Sequence, residues 1–226
     1  VTVIEGWSIN DLAVYLENTK TYSREEFSNA QKVDFSQEFE FLKERPKSLG
    51  LEGYIFPDTY YISAETTAEE FLKIALQNFD KKLSAELRQE IEKQGKTIFK
   101  IVTMASMLEK EVKTLKDKKI VAGILWKRVK EGIPLQVDAT VNYVTGKHDE
   151  KVAIDDTKID SPYNTYKYYG LPLGPISSPG LDSIIAAMYP EKTDYWYYLS
   201  ADGNGTTIFS KTLDEHNQAR AKYFNY

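Results

Sequence analysis

The 226-residue chain contains no cysteine and only two histidines, His148 and His216. Without thiols it forms no disulfide and has no cysteine nucleophile. Two imidazoles are too few for the common zinc sites, so we expect no metal and no cofactor. No run of about 18 apolar residues occurs, so the sequence predicts no membrane-spanning helix, and no signal peptide is recognisable. These absences exclude thiol and disulfide chemistry and argue against a zinc site.

The chain also lacks a long basic run, and its formal net charge is −5. Nucleic acid is therefore not an expected partner. Hydrophobic residues make up 42% and charged residues 28%, which is ordinary for a globular protein. Sixteen tyrosines raise the aromatic share to 13%. Tyrosine rings stack on the apolar faces of sugars, but tyrosines also commonly line half-buried positions, so both interpretations stay open.

The N-terminal part of the chain is predicted to mix short elements. Residues 1–4 form an apolar segment typical of a strand. Ser8 and Asp11 are spaced as the cap of a following helix, and short helices are expected over residues 23–31 and 38–44.

The middle of the chain is predicted to be a block of helices. Thr67 and Glu70 form a capping box ahead of an apolar run with helical periodicity. Further helices are expected over residues 85–94, 101–112 and 117–131.

The last third has a different character. Residues 161–180 contain four of the eight prolines, which predicts an irregular loop that either binds a ligand or packs rigidly. Residues 195–200 and 206–209 flank a turn at 202–205 and predict a β-hairpin. The fold class we expect is α+β, with a helical block packed against small β elements and the long loop. We divide it into an N-terminal α/β subdomain, residues 1–95, and a catalytic core, residues 96–226.

Two glutamates stand in the helix predicted over residues 101–112. Glu109 has Lys113 at i+4, the favourable order for a surface ion pair. Glu111 has Met107 at i−4 and Leu115 at i+4, and no cation at either spacing. A carboxyl group among apolar side chains is harder to ionise, which suits a proton donor near neutral pH. Glu111 is therefore the better candidate for a catalytic acid, although most glutamates in amphipathic helices are simply solvated.

Several motifs together resemble the MltG (YceG-like) family of endolytic murein transglycosylases. They follow the order of that family and extend over most of the chain. They are LEGYIFPDTY (51–60), ASMLEKE (105–111), LQVDATVNY (135–143), SPYNTY (161–166), GLPLGPISSPG (170–180) and the segment 195–217, which begins YWYYLS.

The resemblance implies a bacterial enzyme that cuts peptidoglycan glycan strands internally. The bond joins N-acetylmuramic acid to N-acetylglucosamine, and one product carries a 1,6-anhydro-muramyl end. The family's catalytic glutamate is the second of the EKE triplet, which is Glu111 here. A single carboxyl group suffices if it first donates a proton to the leaving oxygen and then accepts one from the muramyl C6 hydroxyl, which attacks C1.

The matched motifs also imply substrate-binding residues. Gln136, Tyr163, Asn164 and Tyr166 are expected to hold the N-acetyl and hydroxyl groups of the sugar. Asp138 either steadies the positive charge that develops at C1 or caps a helix, and the sequence does not decide between these roles.

Family members carry a cytoplasmic segment, one membrane helix and a LysM-like module ahead of the catalytic region. The resemblance therefore implies an enzyme anchored in the bacterial cell membrane, with its catalytic region on the extracytoplasmic side. This chain would be the soluble part. The implied partners are peptidoglycan strands and, as a further possibility, wall synthases of the penicillin-binding protein class.

Two alternatives remain open at this point. A hydrolase would use Asp138 or Asp58 as a second carboxylate that activates water, and would leave reducing sugar ends. A glycan-binding module would use the tyrosine-rich loops without turnover, and Glu111 would then be structural.

Overall fold

The computed structural model of the chain describes residues 1–147, 152–200 and 206–223. Within these ranges most of the regular structure is helical. The helices are α1 (Ile9–Asn18), α2 (Arg24–Ala30), α3 (Ala68–Lys82), α4 (Ala85–Lys93), α5 (Ile98–Glu111), α6 (Leu115–Lys130), α7 (Asp138–Thr145), α8 (Leu181–Met188) and α9 (Leu213–Tyr223). The strands β1 (Tyr197–Ser200) and β2 (Thr207–Ser210) pair antiparallel, with Tyr197 opposite Ser210. The predicted α+β class is confirmed.

Short polar side chains cap the N-termini of α1 and α3 at the positions predicted from the sequence. Ser8 and Asp11 form a reciprocal capping box at α1, and Thr67 and Glu70 do the same at α3. In each box the hydroxyl accepts from a backbone N–H that has no partner within the helix. Thr114 caps α6 in the same way, so the chain turns directly from the end of α5 into the next helix.

Helix α5 is the centre of the core. Every residue from Ile101 to Leu108 is buried, including the polar Thr103 and Ser106. Over these residues α5 is covered on all sides by neighbouring elements and has no solvent-exposed face. The helix ends at Glu111, since Val112 is extended at φ −146° and ψ 151°.

A single cluster of buried side chains extends from Val3 to Met188. It draws members from both predicted subdomains. The boundary between residues 1–95 and 96–226 stays a prediction.

Two expectations about the N-terminal part were wrong in detail. Residues 1–4 do not form a strand, because Thr2 makes only an isolated bridge with Thr59. The helix expected over residues 38–44 is replaced by two 3-10 turns, Phe35–Gln37 and Glu40–Leu42.

The proline-rich segment 161–180 is irregular, as predicted, and its two halves have different surroundings. Residues 174–180 are buried against α5, where the backbone N–H of Ile176 donates to Oγ of Ser106 at 3.0 Å. Residues 167–169 are exposed. The predicted β-hairpin is confirmed, whereas its turn at 202–205 lies outside the described residues. No helix in the described ranges is long and apolar enough to cross a bilayer.

Candidate active site

Glu111 is the last residue of α5, and its carboxyl group leaves the core toward the β-hairpin. The hydroxyl of Tyr198 on β1 donates to Oε2 of Glu111 at 2.9 Å. The backbone N–H of Ala139, in the first turn of α7, also donates to this carboxyl group. The hydroxyl of Ser200 donates to the main-chain oxygen of Glu111 at 2.9 Å. Three elements, α5, α7 and β1, therefore fix the position of one carboxyl group.

Burial raises the pKa of Glu111 to about 7, and the negative charge of Asp138 acts in the same direction. The hydrogen bonds from Tyr198 and Ala139 oppose this shift because they stabilise the ionised form. The protonated and the ionised forms of Glu111 are therefore both populated near neutral pH. The sequence predicted that apolar neighbours on its own helix raise the pKa of Glu111, and this was partly wrong. Because α5 ends at Glu111, Leu115 does not lie one turn further along it, and α7 and the hairpin bury the carboxyl group instead.

The surface ion pair predicted between Glu109 and Lys113 does not exist. Glu109 instead pairs with Lys118 of α6 at 3.0 Å, and the two side chains are only 8% and 5% exposed. Its Oε2 also accepts from the backbone N–H of Gly180 and from Oγ of Ser183, at 2.9 and 2.7 Å. Glu109 thus joins α5 to α6 and to the start of α8, on the side of the helix away from Glu111.

Asp138 and Tyr166 are the two predicted binding residues that lie beside Glu111. Asp138 is the first residue of α7, and the hydroxyl of Tyr166 donates to its Oδ1. The charges of Asp138 and Glu111 both help to raise the pKa of Tyr166, after burial as the largest cause. Asp138 thus occupies the first turn of a helix and also faces the candidate acid.

The other three predicted binding residues lie elsewhere. Asn164 is 1% exposed, and its amide donates to the carbonyl oxygens of Thr157 and Ile159, so it organises the loop and offers no surface to a ligand at Glu111. The Tyr163 ring packs on Tyr143, away from Glu111.

Gln136 is exposed and has a positive φ of 55°. It lines a cleft of about 280 Å³ together with Arg128, Trp196 and Tyr197. Neighbouring residues of a strand point to opposite faces. Because Tyr198 points to Glu111, Tyr197 and the cleft of Gln136 lie on the other face of the hairpin.

Arg128 and Tyr198 are two residues of this region that sequence reasoning missed. The buried guanidinium of Arg128 donates to the carbonyl oxygens of Trp196 and Leu135, which ties the hairpin to the segment ahead of α7. The residues of β1, YYLS, gave no sign that Tyr198 faces a carboxyl group.

Glu52 was also missed, although it stands in the first matched motif. Its carboxyl group accepts from the backbone N–H of Ile9 at 3.1 Å and from the hydroxyl of Tyr143 at 3.2 Å. Burial raises the pKa of Glu52 to about 7. A lone glutamate between Leu51 and Gly53 in an aromatic run was the available signal.

Asp58, the other carboxylate considered for a hydrolase, packs near α3. It accepts from Asn78 at 3.0 Å and lies 3.5 Å from the ammonium group of Lys82. The structure therefore does not bring it to Glu111. In the described ranges no three histidine, aspartate or glutamate side chains are placed to hold a metal ion.

Known proteins resemble this chain in both sequence and structure. An endolytic murein transglycosylase of Bacillus subtilis (strain 168) is 37% identical over 240 residues, which cover 100% of this chain and 65% of that protein. An endolytic murein transglycosylase of Streptococcus pneumoniae serotype 2 is 34% identical over 180 residues, which cover 77% of this chain and 32% of that protein. The chain therefore spans less than two thirds of the length of these relatives.

The crystal structure of a putative yceG-like protein from Listeria monocytogenes superposes with a TM-score of 0.87 at 33% identity. The superposition covers 96% of this chain and 75% of that one. The sequence profile of the YceG-like family matches residues 1–222. The chain belongs to the YceG-like family.

Proposed function

We propose that this chain is the catalytic region of an endolytic murein transglycosylase. It would cleave the bond between N-acetylmuramic acid and N-acetylglucosamine within glycan strands and leave 1,6-anhydro-muramyl ends. The observation that carries the proposal is the Glu111 carboxyl group, whose pKa of about 7 and fixed hydrogen bonds suit a group that both gives and takes a proton.

In the first half of the reaction, protonated Glu111 donates its proton to the glycosidic oxygen as the C1–O bond breaks. A carboxylic acid with a pKa near the working pH is the most effective donor, because a large fraction is protonated and the proton is still transferred readily. Positive charge develops at C1 in the transition state of this step. The carboxylate of Asp138 beside Glu111 stabilises that charge. The hydroxyl of Tyr166 holds Asp138 in place.

In the second half, Glu111 is a carboxylate that accepts the proton of the muramyl C6 hydroxyl. The C6 oxygen then forms its bond to C1 within the same sugar. An intramolecular nucleophile replaces water because its effective concentration is far higher. At this stage the Tyr198 hydroxyl and the Ala139 N–H stabilise the carboxylate by hydrogen bonds.

The names of the relatives support peptidoglycan as the substrate, since murein is peptidoglycan. An enzyme on that substrate works on the extracytoplasmic side of the cell membrane. We further propose that a membrane anchor outside this chain holds it there, close to wall synthases of the penicillin-binding protein class.

Mass spectrometry of products from isolated glycan strands tests the proposal. The chain should shorten the strands and produce anhydro ends, which are lighter than reducing ends by one water. Glu111→Gln should keep the fold, because the two side chains are nearly isosteric, and should abolish cleavage. Reducing ends would support a hydrolase with Asp138 as its second carboxylate, and binding without any shortening would support a glycan-binding module.

A further inference from the structure

A second cleft lies at the end of α7 away from Glu111. Its volume is about 230 Å³. Its walls include Gln31, Arg45, Glu52, Phe99, Tyr143 and Tyr163. These residues come from distant parts of the sequence, and nothing in the chemistry at Glu111 uses them.

The walls of this cleft provide aromatic surface. The rings of Tyr143 and Tyr163 lie 5.0 Å apart at an angle of 48°, and both are half-buried, as is Phe99. Gly174 packs closely against two of the residues that line the cleft, since a Cβ there would stand 2.8 Å from Cδ1 of Leu49 and 3.4 Å from the Tyr163 hydroxyl. Half-exposed rings with hydroxyl groups at their rims suit the apolar face and polar edge of a sugar.

The cleft also contains the cationic side chain of Arg45, whose charge acts on the Asp34 carboxyl group. The Arg45 guanidinium donates from Nη1 to the carbonyl oxygen of Gly50 at 3.0 Å. Its Nε finds no hydrogen-bond partner among the described residues. A guanidinium has five donors in a planar fork that matches a carboxylate, so Arg45 has capacity left for an anionic group.

Helix α7 and the segment 161–166 connect this cleft with Glu111. The backbone of Ala139 contacts Glu111, while Tyr143, one turn further along α7, contacts Glu52. Four residues of helix correspond to roughly 6 Å. Along the loop, Tyr166 contacts Asp138 and Tyr163 packs on Tyr143. The same helix and the same loop thus border both places.

We propose that this cleft is a second sugar subsite in the same groove as Glu111, which rests on the proposed function. It takes a muramyl unit further along the strand, stacks it against Phe99 and Tyr163, and pairs a carboxylate of its substituent with Arg45. That carboxylate belongs to the stem peptide, because the lactyl carboxyl group is consumed in the amide bond that attaches the peptide. The subsite would fix where along a strand Glu111 acts.

Calorimetric binding to the Glu111→Gln protein tests this inference without turnover. The ligand is a mixture of glycan oligomers that carry stem peptides, compared with the same oligomers after their carboxylates are converted to methylamides. Arg45→Gln, added to Glu111→Gln, should weaken binding of the unmodified oligomers about tenfold, the cost of one charge-assisted hydrogen bond. Arg45→Lys should recover part of this loss because it keeps the charge.

The matched control is Lys43→Gln, which removes an exposed positive charge two residues away and outside the cleft. It should change the affinity less than twofold. Methylamidation of the oligomers should weaken their binding to the Glu111→Gln protein about tenfold. It should not weaken binding further when the protein also carries Arg45→Gln, since both changes remove the same ion pair. Phe99→Leu tests the stacking surface separately and should also weaken binding.

Equal affinities of the Arg45 and Arg45→Gln proteins, or no binding by either, would overturn the subsite. The proposed function is judged separately by cleavage with the unsubstituted chain. If the chain cleaves strands and Arg45→Gln does not change the affinity, the subsite alone is rejected. Binding that depends on Arg45 without cleavage rejects the catalytic proposal alone.

Discussion

Glu109 and Glu111 show how two glutamates on one helix take on different tasks. They are two residues apart, which separates their directions by about 200° around the helix axis. Glu109 points to α6 and α8 and pairs with Lys118, whereas Glu111 points to α7 and the hairpin and accepts from neutral donors. Their surroundings, and not their residue type, make one an ion-pair partner and the other a candidate acid.

Replacing Glu109 should therefore damage stability. Glu109→Gln leaves the Lys118 ammonium group buried without its partner, and breaking a buried pair from one side costs about 3–5 kcal/mol. Urea unfolding measures the loss. Glu92→Gln on α4 is the control, because Glu92 is exposed, and it should change the free energy of unfolding by less than about 0.5 kcal/mol. Equal stability of the two variants would show that the Glu109 pair is not a structural link.

The raised pKa values of Glu52 and Glu111 also predict how stability depends on pH. Each group has a pKa of about 7 in the folded chain against a usual value of 4.5, so between these values the folded chain holds a proton that the unfolded chain has released. The stability contributed by these two groups should thus be largest below pH 4.5 and should fall as the pH rises to 7, by up to roughly 1.4 kcal/mol per pH unit for each group.

Comparison of variants isolates each contribution. Glu111→Gln and Glu52→Gln keep a neutral side chain at every pH, so each should flatten this decline relative to the unsubstituted chain. Denaturant unfolding at several pH values between 4.5 and 8 measures the slopes. Parallel slopes for all three proteins would mean that neither carboxyl group has a raised pKa.

The β-hairpin brings the hydroxyl group of Tyr198 to the carboxyl group of Glu111. Tyr198→Phe removes the hydrogen bond that stabilises the ionised form of Glu111, so the pKa of Glu111 should rise further. The high-pH limb of the rate profile should move to higher pH, and the rate should fall because the carboxyl group is held less firmly. Tyr197→Phe, on the opposite face of β1, should leave the profile unchanged. An unshifted limb in Tyr198→Phe would mean that Tyr198 does not act on the titrating group.

A second contact between elements depends on a glycine. Gly53 has φ +83°, and a Cβ there would lie 2.5 Å from Cβ of Pro175 and 2.9 Å from Cγ1 of Val102. Gly53→Ala should therefore destabilise the chain by about 2–5 kcal/mol, through backbone strain and overpacking. Gly95→Ala is the control, since Gly95 has φ +65° and open space around its Cα, and should cost about 1–2 kcal/mol from strain alone. Thermal unfolding compares them, and equal losses would contradict the close packing of Gly53 on Pro175.

The elements that could be predicted from sequence are those whose signals are local. The capping boxes at Ser8 and Thr67 and the hairpin strands were recognisable from a few neighbouring residues. The end of α5 was misplaced by one residue, because only the extended conformation of Val112 ends it. The 3-10 turns near Phe35 could not be predicted, since tertiary packing decides between short helical forms.

For the candidate site, the sequence pointed to Glu111 and favoured it over Glu109 as the catalytic acid. It could not supply Tyr198 or the backbone of Ala139, because both reach Glu111 only through the packing of distant elements. Asn164 was expected at the substrate and instead organises the loop. A matched motif marks a residue as important without saying whether it touches a ligand or holds the backbone that does.

At the scale of the whole molecule, α5 joins the core to the site. Its buried length packs on α6 and α8, and its last residue emerges where α7, the loop and the hairpin meet. One buried cluster includes members of α5, α6 and α8. Glu111, the proposed proton donor, is held by contacts from several elements, and in the proposed reaction the C6 hydroxyl of the bound sugar supplies the nucleophile.

Digestion of glycan strands in water enriched in heavy oxygen tests this reaction most directly. If Glu111 acts alone and the C6 hydroxyl attacks C1, no solvent oxygen enters the product. Mass spectrometry should then show anhydro-muramyl ends free of the heavy isotope, and Asp138→Asn should slow their formation without changing them. Heavy oxygen at C1 of new muramyl ends would show that water is the nucleophile, and the transglycosylase mechanism would be wrong.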